Sequence, residues 1–512
     1  MSVTSIWVLI AIGAYCLVCL FLGFYAEKGQ KATTTTQYFL AGRNMGPFIS
    51  ILAMTTTQLS SFALLGMPGY FYTHGISPWV MLFVNCMGMI GWYYLFAFRF
   101  YFMGKKYNYL TVGDFFADRF GPKMHLVGSI AMIIITLPNI AIQIMGFGNI
   151  IYGVTNGEIS WTVGAIALSI VMVFYIFSGG YKGVALTDAF QGIVMIVALL
   201  GGGLYIAQSL FGGVPELFRQ LNETNPAWLT TPGPKGYWTP LLYFTWMLIP
   251  GGTVIQPQIL TKFFTLRDTK TVRTNMFVHP ILCFIIYLGA LLIGLSAVLK
   301  MPGLSAVEAD SVSLMLVANY CGPVVASIIA IGIVAAAMST ADSQYITVSA
   351  IFVHDIGERE LFKGREIPQK KLVFWSRMSC LVLMLFAFFI AALKLDSMVS
   401  LFSTIIAPFS VPCLATILMG LYSRRVNDEG ATAGLLAGFL VAVTFVFFVK
   451  LPYGINALFP ATLADILVTL IVTKFFPAPA PKTITKMIDQ VNDMVYSPES
   501  EEVIFSKDYP VQ

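Results

Sequence analysis

The stretch Thr55–Gly69, TTTQLSSFALLGMPG, restricts what this chain can fold into more than any other. It lies within an otherwise apolar run from Pro47 to Tyr72, and a bilayer is crossed by about 20 such residues. A membrane helix does not need Thr55, Thr56, Thr57, Gln58, Ser60 and Ser61 merely to span. Each buried hydroxyl or amide must find a partner or cost free energy. Gly66, Pro68 and Gly69 weaken the backbone ladder as well, releasing carbonyls and amides at mid-membrane, a defect tolerated only where it lines a cavity or a binding site. The other reading of this stretch is close helix packing through small residues, with hydroxyls bonded back to the carbonyl four residues earlier.

The surrounding chain is of the same kind. Of its 512 residues, 57% are hydrophobic and 11% charged, with a mean hydropathy of +0.79, against about 25% charged in soluble domains. That composition predicts a polytopic membrane protein and excludes nucleic acid as a partner. The seven Cys sit mostly in apolar runs and are odd in number, which argues against a disulfide framework. The first run, Ser5–Ala26, is followed by Glu27 and Lys28 without a small-residue cleavage site and reads as a retained span.

Apolar runs at about 5–26, 47–73, 78–103, 124–153, 161–180, 187–210, 238–261, 276–300, 321–353, 372–394, 397–421, 430–450 and 456–476 predict about thirteen spans, with the termini on opposite sides. With the N-terminus outside and the C-terminus cytoplasmic, all 30 Lys and Arg except Arg219, Lys235, Lys300, Lys394 and Lys450 fall on the inner side. The segment Lys105–Lys123 reads as a short amphipathic cytoplasmic helix with a solvated face. The outer loop Phe211–Tyr237 reads as part of an external lid, and the tail 477–512 as disordered or surface-bound. His74, His125, His279 and His354 are scattered near the ends of spans, without metal-ligand spacing. There is no nucleotide loop and no nucleophile–base pair, so an enzyme is not expected, nor any cofactor. Active transport by such a chain must draw on an ion gradient. The expected partners are a small solute, its coupling ion and the lipid bilayer, with no obligatory protein partner evident.

A second interrupted span, Tyr243–Gln258, carries Pro250, Gly251, Gly252 and Pro257. Two broken spans about five spans apart point to a transporter built from inverted repeats, here about 47–210 and 238–421 within a membrane domain of 1–476; two ordinary proline kinks are the alternative. In Ala336–Ser343, AAMSTADS, residues Ala336, Ser339, Thr340 and Ser343 share one helix face. Two hydroxyls beside a carbonyl suit a small hard cation, and carbonyls released by the first broken span would complete the shell; a hydroxyl-rich packing face is the alternative. Asp188 and Asp342 are the unusual charges. Asp188, in LTDAFQG after a Gly-Gly turn, reads equally as a helix cap or an ion ligand.

Tyr38–Gly46 (YFLAGRNMG), Leu65–Gly69 (LGMPG), Ser178–Gly192 (SGGYKGVALTDAFQG), Gln256–Phe263 (QPQILTKF) and Ala335–Gln344 (AAAMSTADSQ) together resemble the sodium:solute symporter family. The resemblance implies an all-α fold like that of the leucine transporter, an inverted five-helix repeat with one extra N-terminal and two extra C-terminal helices. It implies sodium as the coupling ion, held by the carbonyls of Thr56, Leu59 and Ala336 and the hydroxyls of Ser339 and Thr340. A second cation site, present in some members, falls on Ser339, Asp342, Ser343 and Asp188. Asp342 stands where those members have serine, which leaves two readings of that site, tighter sodium binding or a proton. The aromatic pair that frames the solute in proline carriers falls on Ile249 and Thr253, which disfavours proline. Thr57, Gln58, Ser60, Ser61 and Gln143 are the other expected solute contacts. The expected activity is sodium-coupled symport, in the plasma membrane, of a small neutral or monoanionic solute. A monocarboxylate or pantothenate-like compound is favoured, an amino acid next. A proton-coupled symporter of the same fold, or an uncoupled facilitator or channel, is the alternative.

Overall fold

The computed structural model describes residues 2–29, 34–155, 157–363, 365, 367–393, 398–452, 455–497, 501 and 505; Lys394, placed outside above, lies outside that set. The architecture is all-helical, in the inverted-repeat fold expected. In chain order the principal helices are α1 (Val3–Gly29), α2 (Pro47–Gln58), α3 (Met67–His74), α4 (Pro78–Tyr107), α5 (Val112–Arg119), α6 (Pro122–Val154) and α7 (Trp161–Met195). They continue with α8 (Pro240–Val254), α9 (Pro257–Thr265), α10 (Thr269–Lys300), α11 (Gly322–Ala350), α12 (Gln369–Ala392), α13 (Ala407–Tyr422), α14 (Asp428–Val443), α15 (Leu458–Val472) and α16 (Gln490–Tyr496).

Among the described residues ten helices are long and apolar enough to cross a bilayer, or eleven when α2 and the Phe62–His74 helix, bent by 60°, count as one span. Two of the thirteen expected runs are not among these: 161–180, of which the part Trp161–Phe174 counts only as a shorter apolar helix, and 238–261. The expected break at Gly179 and Gly180 is absent, because the backbone stays helical from Trp161 to Phe211. The second broken span, in turn, consists of two pieces each too short to cross alone. Its break falls at Ile255 and Gln256, not at Pro250–Gly252, which stay inside α8. Gln256 (φ −56°, ψ 138°) is pushed out of the helical region by the ring of Pro257.

The two broken spans clasp at one end. Met45, just before α2, donates its N–H to the Thr265 carbonyl (3.0 Å) and accepts from the Arg267 N–H (3.1 Å) at the end of α9. Left-handed backbone at Ala41, Gly42 and Arg43 aims the Arg43 guanidinium at the carbonyls of Gly104 and Tyr109, each 2.8 Å away. These contacts explain the YFLAGRNMG motif structurally.

Helix α5 corrects the solvated reading of Lys105–Lys123. Val112, Asp114, Phe115, Phe116 and Arg119 are all buried. Asp114 closes a capping box, accepting the N–H groups of Leu110 (2.6 Å) and Thr111 (3.0 Å). Burial raises the Asp114 carboxyl, but the bond and charge of His354, the charge of Arg359 and the Thr111 N–H outweigh it and hold the group down at about 2. Arg119 bonds the carbonyls of Gly420 (2.7 Å), Val426 (3.1 Å) and Ser423 (2.5 Å) just past the end of α13.

The tail, too, is ordered where it is described. From Pro481 to Tyr496 it is helical, and Met487, Ile488, Val491 and Met494 are buried against the body. The Tyr107 hydroxyl donates to the Lys486 carbonyl (2.9 Å), and Lys486 pairs with Asp118 (2.6 Å). The surface-bound reading holds for this segment and the disordered one does not. The loop after residue 211 lies over the far end of α3, where Ile76 donates to the Trp228 carbonyl (2.7 Å) and the Trp228 indole to the Tyr72 carbonyl (2.8 Å).

Arg119→Met is expected to lower the thermal unfolding midpoint in detergent clearly, because three carbonyls lose donors worth about 1.5–3 kcal/mol each. Arg119→Lys should recover only part, since a single ammonium cannot reproduce the fork. Lys123→Met, at an exposed position, should change the midpoint little.

Candidate functional site

Helix α2 stops at Gln58 because Leu59 (φ −87°, ψ 78°) leaves the helical region; its N–H still reaches the Thr55 carbonyl (2.9 Å). The last carbonyls of a helix have no partner in the helix itself, and no water reaches them here, since Thr56 and Leu59 are fully buried. The partners come from α11. Ser339 Oγ donates toward the Thr56 carbonyl (3.2 Å) and the Ala336 carbonyl (3.1 Å), and Thr340 Oγ1 toward the carbonyls of Thr56 (3.3 Å) and Thr57 (3.1 Å). Five oxygens from two distant segments thus converge. Four of the five residues expected from the sequence, Thr56, Ala336, Ser339 and Thr340, are in the cluster. Leu59 stands at the break itself. The Thr57 carbonyl is an additional oxygen that the residue pattern did not single out.

Beyond the break, the freed N–H groups are capped by side chains. Ser61 donates from both N–H (3.0 Å) and Oγ (2.7 Å) to Gln143 Oε1 on α6, and the Phe62 N–H goes to Ser60 Oγ (3.2 Å). Gly146 allows this approach, because a Cβ there would stand 2.6 Å from Ser61 Oγ.

A cavity opens beside the oxygen cluster. Its walls include Thr57, Gln58, Ser60 and Thr253, four of the residues expected to meet solute, together with Thr340 of the cluster. Ser61 and Gln143 lie bonded to one another rather than in its lining. Ile249 is buried in α8 and is likewise not part of the lining. Sequence reasoning missed Asn85, Asn139, Gln256, Gln258 and Tyr287. Two of these were visible in QPQILTKF, and Asn139 follows a mid-helix proline, but only packing aims them at one space. Asn139 Nδ2 donates to Gln256 Oε1 (2.9 Å), as does Gln258 Nε2 (2.6 Å). Asn85 Oδ1, Gln256 Nε2 and Gln258 Oε1 are buried without a hydrogen-bond partner, leaving two acceptors and a donor unsatisfied around the cavity. The lining contains amides, hydroxyls and apolar groups and no charged side chain.

On the basic side of this cluster lie the buried charges. Asp188 is not at a helix N-terminus but in mid-helix in α7, which removes the capping reading. Its carboxylate pairs with Lys262 Nζ at 3.1 Å, both side chains being essentially inaccessible. Lys262 therefore belongs to the interior, in α9, and not to a solvated inner loop. Asp342 is close enough to act on the Lys262 charge, and Ser343 Oγ meets Thr57 Oγ1 at 3.2 Å. Of the residues expected for a second cation site, Asp188 is thus paired with a cation the protein itself supplies.

Comparison with known proteins gives a consistent picture. The profile of the sodium:solute symporter family matches residues 38–438. A sodium/proline symporter of Staphylococcus aureus (strain JH9) is 26% identical over 500 residues, covering 95% of this chain and 96% of the relative. Among solved structures, a Na+-coupled sialic acid symporter in a substrate-bound outward-open state superposes with a TM-score of 0.78 at 18% identity, covering 92% of this chain and 98% of its own. Mhp1, a nucleobase-cation-symport-1 family transporter, superposes with a TM-score of 0.58 at 14% identity, covering 90% and 99%. At these identities the two structures establish the fold alone.

Removing one partner of the Asp188–Lys262 pair strands a buried charge, at a cost of about 3–5 kcal/mol. Asp188→Asn and Lys262→Met are each expected to lower the thermal midpoint in detergent strongly, and the double variant to recover most of the loss. Losses that simply add would show that the pair is not coupled.

Proposed function

Because the chain belongs to the sodium:solute symporter family, we propose that the oxygen cluster of Thr56, Thr57, Ala336, Ser339 and Thr340, with Leu59 at the break, holds the coupling sodium ion, and that the amide-lined cavity beside it holds the solute. The chain is a multi-pass sodium-coupled solute symporter; what is proposed is where ion and solute sit and what the solute is. One observation carries the reading: Thr57 and Thr340 belong both to the cluster and to the cavity wall. An ion that turns these two groups toward itself changes the surface the solute meets, so each ligand alters the affinity for the other by the same factor.

Sodium is a hard cation suited to neutral oxygen ligands, and such a shell binds weakly enough to release it. When the ion arrives, the two hydroxyls turn their protons away from the carbonyls and offer lone pairs. The ion then bridges α2 and α11, replacing hydrogen bonds that otherwise join them directly. This favours the arrangement competent for solute, a population shift by differential affinity. One charge crossing 100 mV releases about 2.3 kcal/mol, enough for roughly fifty-fold accumulation at about 1.4 kcal/mol per decade.

The uncharged, amide-rich lining supports a small solute of zero or single negative charge, with both donors and acceptors. A monocarboxylate or pantothenate-like compound fits, its carboxylate meeting amide N–H and hydroxyl groups, and an amino acid comes next. Proline, the solute in the name of the staphylococcal relatives, is disfavoured here because Ile249 and Thr253 supply no aromatic frame. Lys262 beside Asp188 already balances one carboxylate, which supports a single sodium ion per cycle, with Asp188, Asp342 and Ser343 tuning the site from the basic end. The basic residues support a plasma-membrane orientation with the N-terminus outside.

In proteoliposomes, accumulation of labelled pantothenate or lactate, in preference to proline, is expected to require an inward sodium gradient; uptake indifferent to that gradient overturns the proposal. Ser339→Ala and Thr340→Ala should raise the sodium concentration for half-maximal uptake about ten-fold, equivalent to about 1.4 kcal/mol. For Ser339→Ala, high sodium should restore the rate. Gln256→Ala should raise the solute half-saturation at saturating sodium instead, a defect that more sodium does not repair.

A further inference from the structure

The end of the protein that carries α5 brings together groups that nothing in the transport cycle uses. Asp114 on α5, His125 in the first turn of α6, and His354 and Asp355 in the wide-turned continuation of α11 (Ile351–Leu361) are distant in sequence and packed side by side. Ligand atoms of Asp114, His354 and Asp355 all lie within 4.8 Å of one another. His354 Nε2 stands 3.2 Å from Asp114 Oδ1, and His125 Nε2 3.5 Å from Asp355 Oδ1. Ligands around a tetrahedral zinc ion, with bonds of about 2.1 Å, are separated by about 3.4 Å. Asp114, His354 and Asp355 thus form a three-residue core of the size of such a shell, which His125 adjoins through Asp355.

Two further observations point to a ligand. The first is Asp355. It is fully buried, Oδ1 accepts from Thr111 Oγ1 (2.8 Å), and Oδ2 has no hydrogen-bond partner. The carboxylate rests on Gly113, where a Cβ would stand 2.3 Å from Oδ2, so only glycine permits it. The second is how the imidazoles are anchored. Carboxylates accept only, so His354 Nδ1–H donates to Glu358 (3.0 Å) and His125 Nδ1–H to Glu360 (3.2 Å). Both rings are thus held by an outer carboxylate at Nδ1 and present Nε2 inward, the carboxylate–histidine arrangement that orients metal ligands.

We propose that His125, His354, Asp114 and Asp355 form a binding site for one divalent transition-metal ion of the zinc class, separate from the sodium site. Two imidazoles and two carboxylates are a donor set for zinc or cobalt rather than for sodium or magnesium. The ion takes the place of the inward-facing Nε2 protons and engages the unpartnered Asp355 Oδ2. Arg359, which pairs with Asp114 and is partly exposed, swings off to make room. An open pocket lined by His125, Glu358, Arg359, Glu360, Lys363 and Arg365 supplies the entry path. Bound metal staples α5 and the start of α6 to the end of the helix that carries Ser339 and Thr340.

The test uses the full-length protein in detergent, with any affinity tag removed and metal stripped by chelator. Co2+ titration is expected to give one equivalent of visible tetrahedral absorption, without the sulfur charge-transfer bands a cysteine site would show, and Zn2+ should displace it. Asp355→Asn and His354→Gln should weaken binding ten-fold or more. Glu358→Gln, at a partly exposed position that touches only the outer nitrogen of His354, should weaken it measurably while leaving the thermal midpoint of the metal-free protein unchanged. Absence of a stoichiometric Co2+ spectrum, or identical binding in His354→Gln and Glu358→Gln, overturns the proposal and leaves a cluster of ion pairs only.

Discussion

A helix that stops inside a hydrocarbon slab leaves carbonyls that neither water nor the next turn can satisfy, and each would cost several kcal/mol if left bare. At Gln58 this chain incurs that cost and recovers it through two hydroxyls from α11, whose oxygens lie 3.1–3.3 Å from the carbonyls of Thr56 and Thr57. The rest of the site depends on this exchange. It holds two otherwise independent segments together with groups that hydrogen-bond to one another and that, in the proposed reading, cage a small cation by rotating a proton. A covalent link or a strong ion pair in the same place would be stable but could not be released in each cycle.

The same economy extends outward. On one side of the break, the first amides of the following helix are capped by Gln143 and Ser60, which also fixes the wall of the cavity. On the other, Asp188 and Lys262 pair with each other in the interior, and Asp342 is a further buried carboxyl near them. Lys262 thus offsets one of the two buried carboxyls beside the cluster. Affinity can stay moderate, and the ion's own charge is what responds to the membrane potential. Neutral amides in the cavity serve the same end, since a charged lining would add its own electrostatic term to every crossing.

Much of this was legible in advance. Hydroxyls in an apolar run, followed by glycine and proline, point to a break as readily as to close packing; the break falls at Leu59, while Gly66, Pro68 and Gly69 stay helical, and Ala336, Ser339 and Thr340 share a face by helical geometry alone. What misled was polarity read locally. Lys262 and Asp114 look like solvated loop charges because their neighbours in sequence are charged, yet both are buried through contacts with residues 74 and about 240 positions away. The amides of Asn85, Asn139 and Gln256 belong to three different spans, and nothing in their spacing aims them at one cavity. Of the residues that marked the second broken span, Pro250–Gly252 stay helical and the break falls beside Pro257. A glycine pair in a tightly packed helix is tolerated by contact with Ser410, Val411 and Leu414, whereas the steric veto of Pro257 acts on the residue before it.

Residue order alone was enough to place this chain in a membrane, to mark two interrupted spans and to put Ala336, Ser339 and Thr340 on one helix face. These follow from composition, local backbone chemistry and a 3.6-residue period, all of which act over a few residues. Folding in three dimensions selected which carbonyls meet which hydroxyls, which lysine balances which aspartate, and that His125 and His354 are both brought to Asp355. Those pairings join residues hundreds of positions apart, and they are selected by the requirement that every buried polar group find a partner somewhere in the whole fold.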